Sequence, residues 1–389
     1  MATHLSSVPS APRAAGDGFA TVDDMVAALR PAHPVFCLRP AVLESAARRF
    51  VEAFPGRVLY AVKCNPHPWV LSALHDGGVR DFDTASLPEI ESVKGLFPGA
   101  NAYFHHPVKS RDAIRRAYRD YGVRQFTIDH PAELEKLLDE CGGGGIEVEV
   151  RFATPPGFAT FDLSTKFGAT PEHAVRLLRA VADKGLTPTL AFHVGSQCTS
   201  PEAYRIALLL AGQILDAAEV PIASLNVGGG FPAAYPNAAP PPLDTYFAEI
   251  AAGVRLLELP DDCGLLCEPG RALVADGCSL VVQVDLRKDQ VLYVNDGIFG
   301  SLSETVHGKA DFAVRRVRPG GGAASPNEIQ FTVFGPTCDA NDRLPFTWIL
   351  PDDVREGDWI EVSQVGAYSN ALATHFNGFY ADKFVTIGE

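Results

Sequence analysis

No stretch of this chain approaches the roughly 18 uninterrupted apolar residues that a membrane span needs, so a membrane partner is not expected. Nor is there a long basic run: Asp and Glu total 47 against 33 Lys and Arg, a formal net charge of -14. Nucleic acid is therefore not an expected partner, and a substrate attracted by charge would be cationic. The eight cysteines include no C-x-x-C pair and no small-domain framework. That pattern suits reduced thiols and a cytoplasmic location, with neither disulfides nor a metal site expected. Residues 1 to 18 are rich in Ala, Ser and Pro without an apolar h-region, which reads as a loose tail and not a signal peptide.

What is present is a long alternation. The 389 residues, 47% hydrophobic, suit one large domain of roughly 250 residues and a smaller one. Strand-like runs at Val58–Lys63, Asp81–Ser86, Ala102–His106, Gln125–Asp129, Ile146–Phe152, Thr187–Val194, Ser224–Gly228 and Gly264–Glu268 alternate with helix-like stretches. Several of those helices open with Pro in the first turn or with Ser or Asp as a cap. Eight strands alternating with helices predict a parallel (β/α)8 barrel over residues 40–275. Beyond it, β-rich runs separated by Gly, Pro and Asp turns predict a mainly antiparallel β domain over 276–389, joined by an early strand at 34–39. Residues 1–33 are read as a tail and lead-in.

Barrel chemistry collects at the carboxyl ends of the strands. The polar residues of this chain fall there: Lys63, Asp83 with Ser86, His105 and His106, Arg151, His193 with Gly195-Ser196, Gly228-Gly229-Gly230, and Glu268-Pro269-Gly270-Arg271. Lys63, behind an apolar strand, is placed to form a Schiff base with an aldehyde or simply to reach water. The triple glycine is a bare-backbone phosphate cradle or a tight βα turn, and Arg271 would add a fixed positive charge to a phosphate. Glu268 beside a phosphate is an electrostatic misfit unless a cation, such as a protonated ring nitrogen, lies between. His193 is a flat partner for an aromatic ring or a satisfied core histidine. Lysine, phosphate cup, ring acid and stacking imidazole together describe a pyridoxal 5'-phosphate site.

Seven ordered motifs then resemble a known family: Tyr60-Ala61-Val62-Lys63, His193-Val194-Gly195-Ser196, Gly228-Gly229-Gly230-Phe231-Pro232, Glu268-Pro269-Gly270-Arg271, Asn295-Asp296-Gly297, Gly335-Pro336-Thr337-Cys338-Asp339 and Gly366-Ala367-Tyr368. They resemble the fold-type III pyridoxal-phosphate decarboxylases, the ornithine and lysine branch above all, over residues 34 to 389. The resemblance implies an alanine-racemase-like barrel followed by a β domain. It implies that Lys63 holds the cofactor, His193 stacks on it and Glu268 meets its ring nitrogen. Ser196, Gly229, Gly230, Arg271 and Tyr368 would bind the phosphate, Gly228 and Gly270 would also touch the cofactor, and Asp83, Glu89 and Arg151 would be in support. Lys166 would meet a partner subunit. Cys338 would return a proton to the substrate, and Cys338 and Asp339 would cross a homodimer interface into a shared active site.

The implied reaction is decarboxylation of a basic diamino acid to a diamine and CO2, in polyamine metabolism, with L-ornithine first and lysine next. Glu304, Cys338, Asp339, Asp342 and Tyr368 are the expected substrate contacts. Two departures stand out. Where ornithine-type enzymes usually carry an aspartate for the distal amine, this chain reads Ser303-Glu304-Thr305-Val306-His307, which leaves open a shorter or unusual substrate such as 2,4-diaminobutyrate, arginine or a diaminopimelate-like acid. Asn226 also stands where an aspartate is common. An amino acid racemase and a non-catalytic decarboxylase-like regulator are the alternatives; Glu268 and the Cys338-Asp339 pair argue against the first, and the presence of both Lys63 and Cys338 against the second.

Overall fold

The computed structural model describes residues 18–142, 144–161, 165–321 and 323–388. Leu163 and Ser164 of the Leu163–Gly168 loop, and the tail through residue 17, lie outside them. The described chain divides into two compact units, one of residues 47–232 and 240–270, the other of 18–46, 233–239 and 271–388.

The first unit is a closed barrel of eight parallel strands: Arg57–Ala61, Asp81–Thr84, Asn101–Phe104, Gln125–Ile128, Glu147–Arg151, Thr187–Ala191, Ser224–Asn226 and Gly264–Cys267. Each pairs with the next in sequence, and the eighth returns to the first through Leu266 with Arg57 and Cys267 with Val58. Most of the strands are one to three residues shorter at the carboxyl end than the apolar runs predict. Lys63 is a case in point: its strand stops at Ala61, and the lysine sits on the single 3-10 turn Val62–Cys64.

The helices between strands begin where the sequence chemistry directs. Ser86 caps Leu87–Leu96 by accepting from Glu89 N at 3.4 Å, while the Glu89 carboxylate accepts from Ala85 N at 2.7 Å, a reciprocal arrangement that satisfies two otherwise orphaned donors. Thr170 caps Pro171–Asp183 by accepting from His173 N at 3.3 Å, with Pro in the first turn. An antiparallel pair of three-residue strands, Ala159–Phe161 with Ser196–Cys198, was not expected from the sequence.

The second unit is a nine-stranded sheet. Its longest strand, Cys278–Lys288, pairs antiparallel with Val35–Leu38, which also lies parallel to Lys383–Ile387. A helix at Val22–Leu29, capped by Thr21, occupies the lead-in. It packs Val22, Met25 and Val26 onto Val35, Val281, Trp359 and Val385, all buried.

Candidate active site

The rim of the barrel is tied together strand by strand. Ala61 N donates to Pro269 O at 3.1 Å, so the exit of the first strand is bonded to the loop after the eighth. A Cβ on Gly270 would lie 2.9 Å from Cys64 Cβ, which is why the chain there approaches the Lys63 turn without a side chain. Lys63 Nζ lies 2.9 Å from Asp83 Oδ2; the lysine is partly exposed and the aspartate buried.

The glycine run closes three rim loops onto one another. Gly228 (φ +68°) and Gly230 (φ +104°) adopt left-handed backbone that other residues avoid, and Cβ atoms on them would fall 2.2 Å from Phe192 O and 2.5 Å from Gly195 O. Gly229 lies against Glu268 O and His193 Nε2. The loop is anchored behind by Phe231, stacked 5.2 Å from Tyr204, whose hydroxyl donates to Gly229 O at 2.8 Å. Cys198 N donates to Gly230 O at 2.9 Å, which brings the strand that starts at Ser196 to the same place. His193 accepts from Gly195 N through Nδ1 at 3.0 Å. Burial, with Arg151 and Lys63 nearby, pushes His193 down to about 3, so its ring is neutral.

Glu268 sits in a buried cluster. His105 Nδ1 is 2.6 Å from its Oε1, and Asn226 Nδ2 donates to the same oxygen at 2.7 Å. Asn226 also donates to Glu149 Oε2 at 2.9 Å and accepts from Gly228 N at 2.9 Å. Burial raises the Glu268 pKa, but the His105 hydrogen bond, the His105 charge and Lys63 outweigh it and hold the group well below the usual carboxylate range. Burial pulls His105 down, yet Glu149 and Glu268 together raise it to about 9. Glu149 is raised, chiefly by burial. At neutral pH the cluster therefore holds an imidazolium against an ionised Glu268. Arg151, half-buried, stands in the field of Glu268, Glu149 and Asp83.

In the second unit Arg271 opens the short helix Arg271–Val274 and is buried. It donates to Glu304 Oε1 through Nη2, donates to the Tyr235 hydroxyl at 3.0 Å and lies 5.1 Å from the Tyr368 ring centre. Tyr368 has φ +64°, a left-handed conformation that costs a non-glycine residue about 1 kcal/mol or more and recurs at functional sites. Gly366, two residues earlier, has no room for any side chain: a Cβ there would meet Val274 O. Glu304, expected as a substrate contact, is instead buried as the partner of Arg271, because a guanidinium enclosed without an anion would be costly.

The Cys338 loop is held by Asp342. Its Oδ1 accepts from Ile298 N at 3.0 Å, and its Oδ2 accepts from Thr337 N at 3.0 Å and Thr337 Oγ1 at 2.7 Å. Cβ atoms on Gly297 or Gly335 would strike the Asp342 carboxylate, so the Asn295-Asp296-Gly297 and Gly335-Pro336-Thr337-Cys338-Asp339 motifs are locked to each other through this residue. Asp342 thus fixes its own turn, leaving Asp339 as the partly exposed acid beside the exposed Cys338. The loop borders a groove of about 420 Å³ lined by Asp285, Tyr293, Phe334, Cys338, Asp339 and Phe379, among others, with no basic residue in its lining.

Lys63, Asp83, Arg151, His193, Gly228, Gly229, Gly230, Glu268 and Gly270 thus gather at the barrel rim, and Ser196 opens a strand tied to it. Arg271, Tyr368 and Glu304 form one cluster in the second unit; Cys338, Asp339 and Asp342 share a loop there. Lys166 is exposed, its ammonium 4.9 Å from the Phe167 ring centre. Glu149 was missed: a glutamate between Val148 and Val150 is the one signal the sequence held. From the sequence, His105 reads only as a strand end.

The arrangement fits pyridoxal phosphate on grounds of its own. A primary amine on a buried carboxylate, a neutral imidazole, an ionised acid and a buried His105 Nε2 without a hydrogen-bond partner among the described residues are what a charged heteroaromatic ligand would complete. These features, on a closed barrel with a β domain, define a pyridoxal-phosphate enzyme of the barrel class. The family pattern "Pyridoxal-dependent decarboxylase, pyridoxal binding domain" matches residues 41–275, so the chain belongs to the pyridoxal-dependent decarboxylases and is a carboxy-lyase. It is 36% identical over 332 residues to the lysine/ornithine decarboxylase of Selenomonas ruminantium, covering 83% of this chain and 81% of that one. Among solved structures it resembles the lysine/ornithine decarboxylase of Vibrio vulnificus in complex with cadaverine (29% identity, TM-score 0.82, 95% of this chain and 100% of that one). It also resembles the arginine decarboxylase of Paramecium bursaria Chlorella virus (26% identity, TM-score 0.84, 94% and 99%). No helix of the described residues is long and apolar enough to cross a membrane.

Proposed function

We propose that this enzyme removes CO2 from a basic diamino acid, L-ornithine first and lysine next, as a cytoplasmic homodimer with shared active sites serving polyamine synthesis. The observation that carries the diamino reading is the groove beside Cys338: its charged lining residues are Asp285, Asp339 and Asp342, with no cation among them. With Glu304 taken up by Arg271 and Asp342 by its own turn, the distal ammonium falls to Asp339. Substrates named for the relatives, lysine, ornithine and arginine, share that distal cation.

In this reading Lys63 would be the amine that holds the cofactor covalently. His193 would stack on the ring as a neutral imidazole, Glu268 would keep the ring nitrogen protonated, and Arg271, Tyr368, Ser196 and the glycine loop would hold the phosphate. Bound there, pyridoxal phosphate supplies the electron sink that allows the bond between Cα and the carboxylate to break. The electron pair left behind is then closed by a proton that Cys338 returns to Cα, a general-acid step. Cys338 and Asp339 reach the site from the partner subunit.

The test is CO2 release assayed against ornithine, lysine, 2,4-diaminobutyrate, arginine and diaminopimelate. Ornithine is expected to give the highest kcat/KM and lysine the next. Turnover confined to diaminopimelate or to neutral amino acids would overturn the assignment of Asp339.

A further inference from the structure

The Glu268 cluster holds more than a ring acid requires. Glu268 and Glu149 are two buried carboxylates, and His105 faces both, at 2.6 Å from Glu268 Oε1 and 3.8 Å from Glu149 Oε1. A carboxylate can only accept, so the 2.6 Å contact fixes His105 Nδ1 as the proton-bearing nitrogen. The His105 backbone is held by a 3.1 Å bond from its N–H to Thr84 O, and its ring lies 5.4 Å from Tyr103. Asn226 bridges the two carboxylates with a single amide nitrogen while its oxygen receives Gly228 N. An aspartate at 226 would set a third carboxylate against the first two; asparagine supplies a donor. His105 and Asn226 are therefore complementary, one adding a positive charge and the other withholding a negative one.

We infer that His105 is the positioning residue for Glu268: with Asn226 as a neutral second donor, it holds that carboxylate ionised and fixed in orientation for the cofactor's ring nitrogen. This rests on the reading of Glu268 as the ring acid. Its buried Nε2, with no partner among the described residues, marks the histidine as belonging to a ligand site and not to closed core packing. The charged groups facing the pair are Glu149 and Arg151 from the fifth strand, Asp83 from the second and Lys63 after the first. With His105 removed, the remaining carboxylates raise the proton affinity of Glu268, so catalysis dependent on its anion would fail as pH drops.

The experiment compares wild type, His105→Gln, His105→Ala and Glu268→Gln for melting temperature, kcat and KM between pH 5 and 9. Alongside it, NMR of His105 is recorded in cofactor-free wild-type protein. Loss of one charge-assisted hydrogen bond predicts a kcat decrease of about 10- to 100-fold in His105→Ala. His105→Gln, which keeps a donor without the charge, should fall less, with KM within about twofold. Both variants should show an acid-side fall in kcat that wild type lacks, and the wild-type resonance should report an imidazolium at pH 7. A neutral His105 at pH 7, or His105→Gln folded with the wild-type pH profile, overturns the inference. If Glu268→Gln itself keeps full activity, the ring-acid reading fails instead.

Discussion

Gly229→Ala isolates the close approach on which the phosphate cradle depends. The backbone at 229 is not left-handed, so alanine brings no backbone strain and the effect is one of space. The added methyl would lie 2.6 Å from Glu268 O and 3.0 Å from His193 Nε2. Ordinary contact begins near 3.4 Å, so the carbonyl must retreat by 0.8 Å, the difference of 3.4 and 2.6. That carbonyl belongs to a rigid partner, since Glu268 N is itself bonded to Gly228 O at 2.8 Å. Overpacking of this kind costs about 1–3 kcal/mol, and a shift near 1 Å at a reacting centre costs about 100-fold in rate. The variant should therefore lower Tm by about 2–4 °C per kcal/mol lost. Cofactor affinity, followed by visible absorbance on titration into cofactor-free protein, should weaken by about tenfold or more. Gly99→Ala, where nothing lies within 4 Å, is the control and should match wild type in both measurements. A Gly229→Ala protein with cofactor affinity and kcat within about twofold of wild type would refute the reasoning.

Two further predictions concern buried charge. His105 is raised in the fold from 6.5 to about 9, so its contribution is complete below pH 6.5 and is lost as pH climbs through about 9. The loss is on the order of 3 kcal/mol, observable as a falling urea midpoint between pH 6.5 and 9 that flattens in His105→Gln; an unchanged slope in the variant would count against the cluster. Glu304→Ala removes the carboxylate paired with buried Arg271 and should destabilise the second unit of the cofactor-free protein by about 3–5 kcal/mol, read by urea unfolding. An effect confined to KM for ornithine, with stability intact, would return Glu304 to the role of substrate contact.

The barrel is legible because its period is local: apolar runs of five to eight residues recur eight times, several of the helices between them open on a cap or a first-turn proline, and each rim residue falls at the end of its own run. What was misread depends on partners far along the chain. His105 looked like an ordinary strand end because Glu268 lies 163 positions away. Asn226 was visible as a departure yet had no meaning until Glu149 and Glu268, 77 and 42 positions distant, were seen on either side of its amide. Nothing local in the sequence announces that Arg271 pairs with Glu304. The grip of Asp342 on its own turn is equally silent, although the glycines at 297 and 335 hint that something must fit against bare backbone. The Ala159–Phe161 and Ser196–Cys198 pair escaped notice because three residues are too few to show an alternation.

The central claim is that Lys63 is the amine that binds the cofactor. Borohydride reduction of the holoenzyme followed by peptide mapping tests it directly: the account predicts loss of the visible band and a single pyridoxyl adduct on Lys63, with Lys63→Ala inactive and unlabelled. An adduct on another lysine, or substantial turnover by Lys63→Ala, would contradict it.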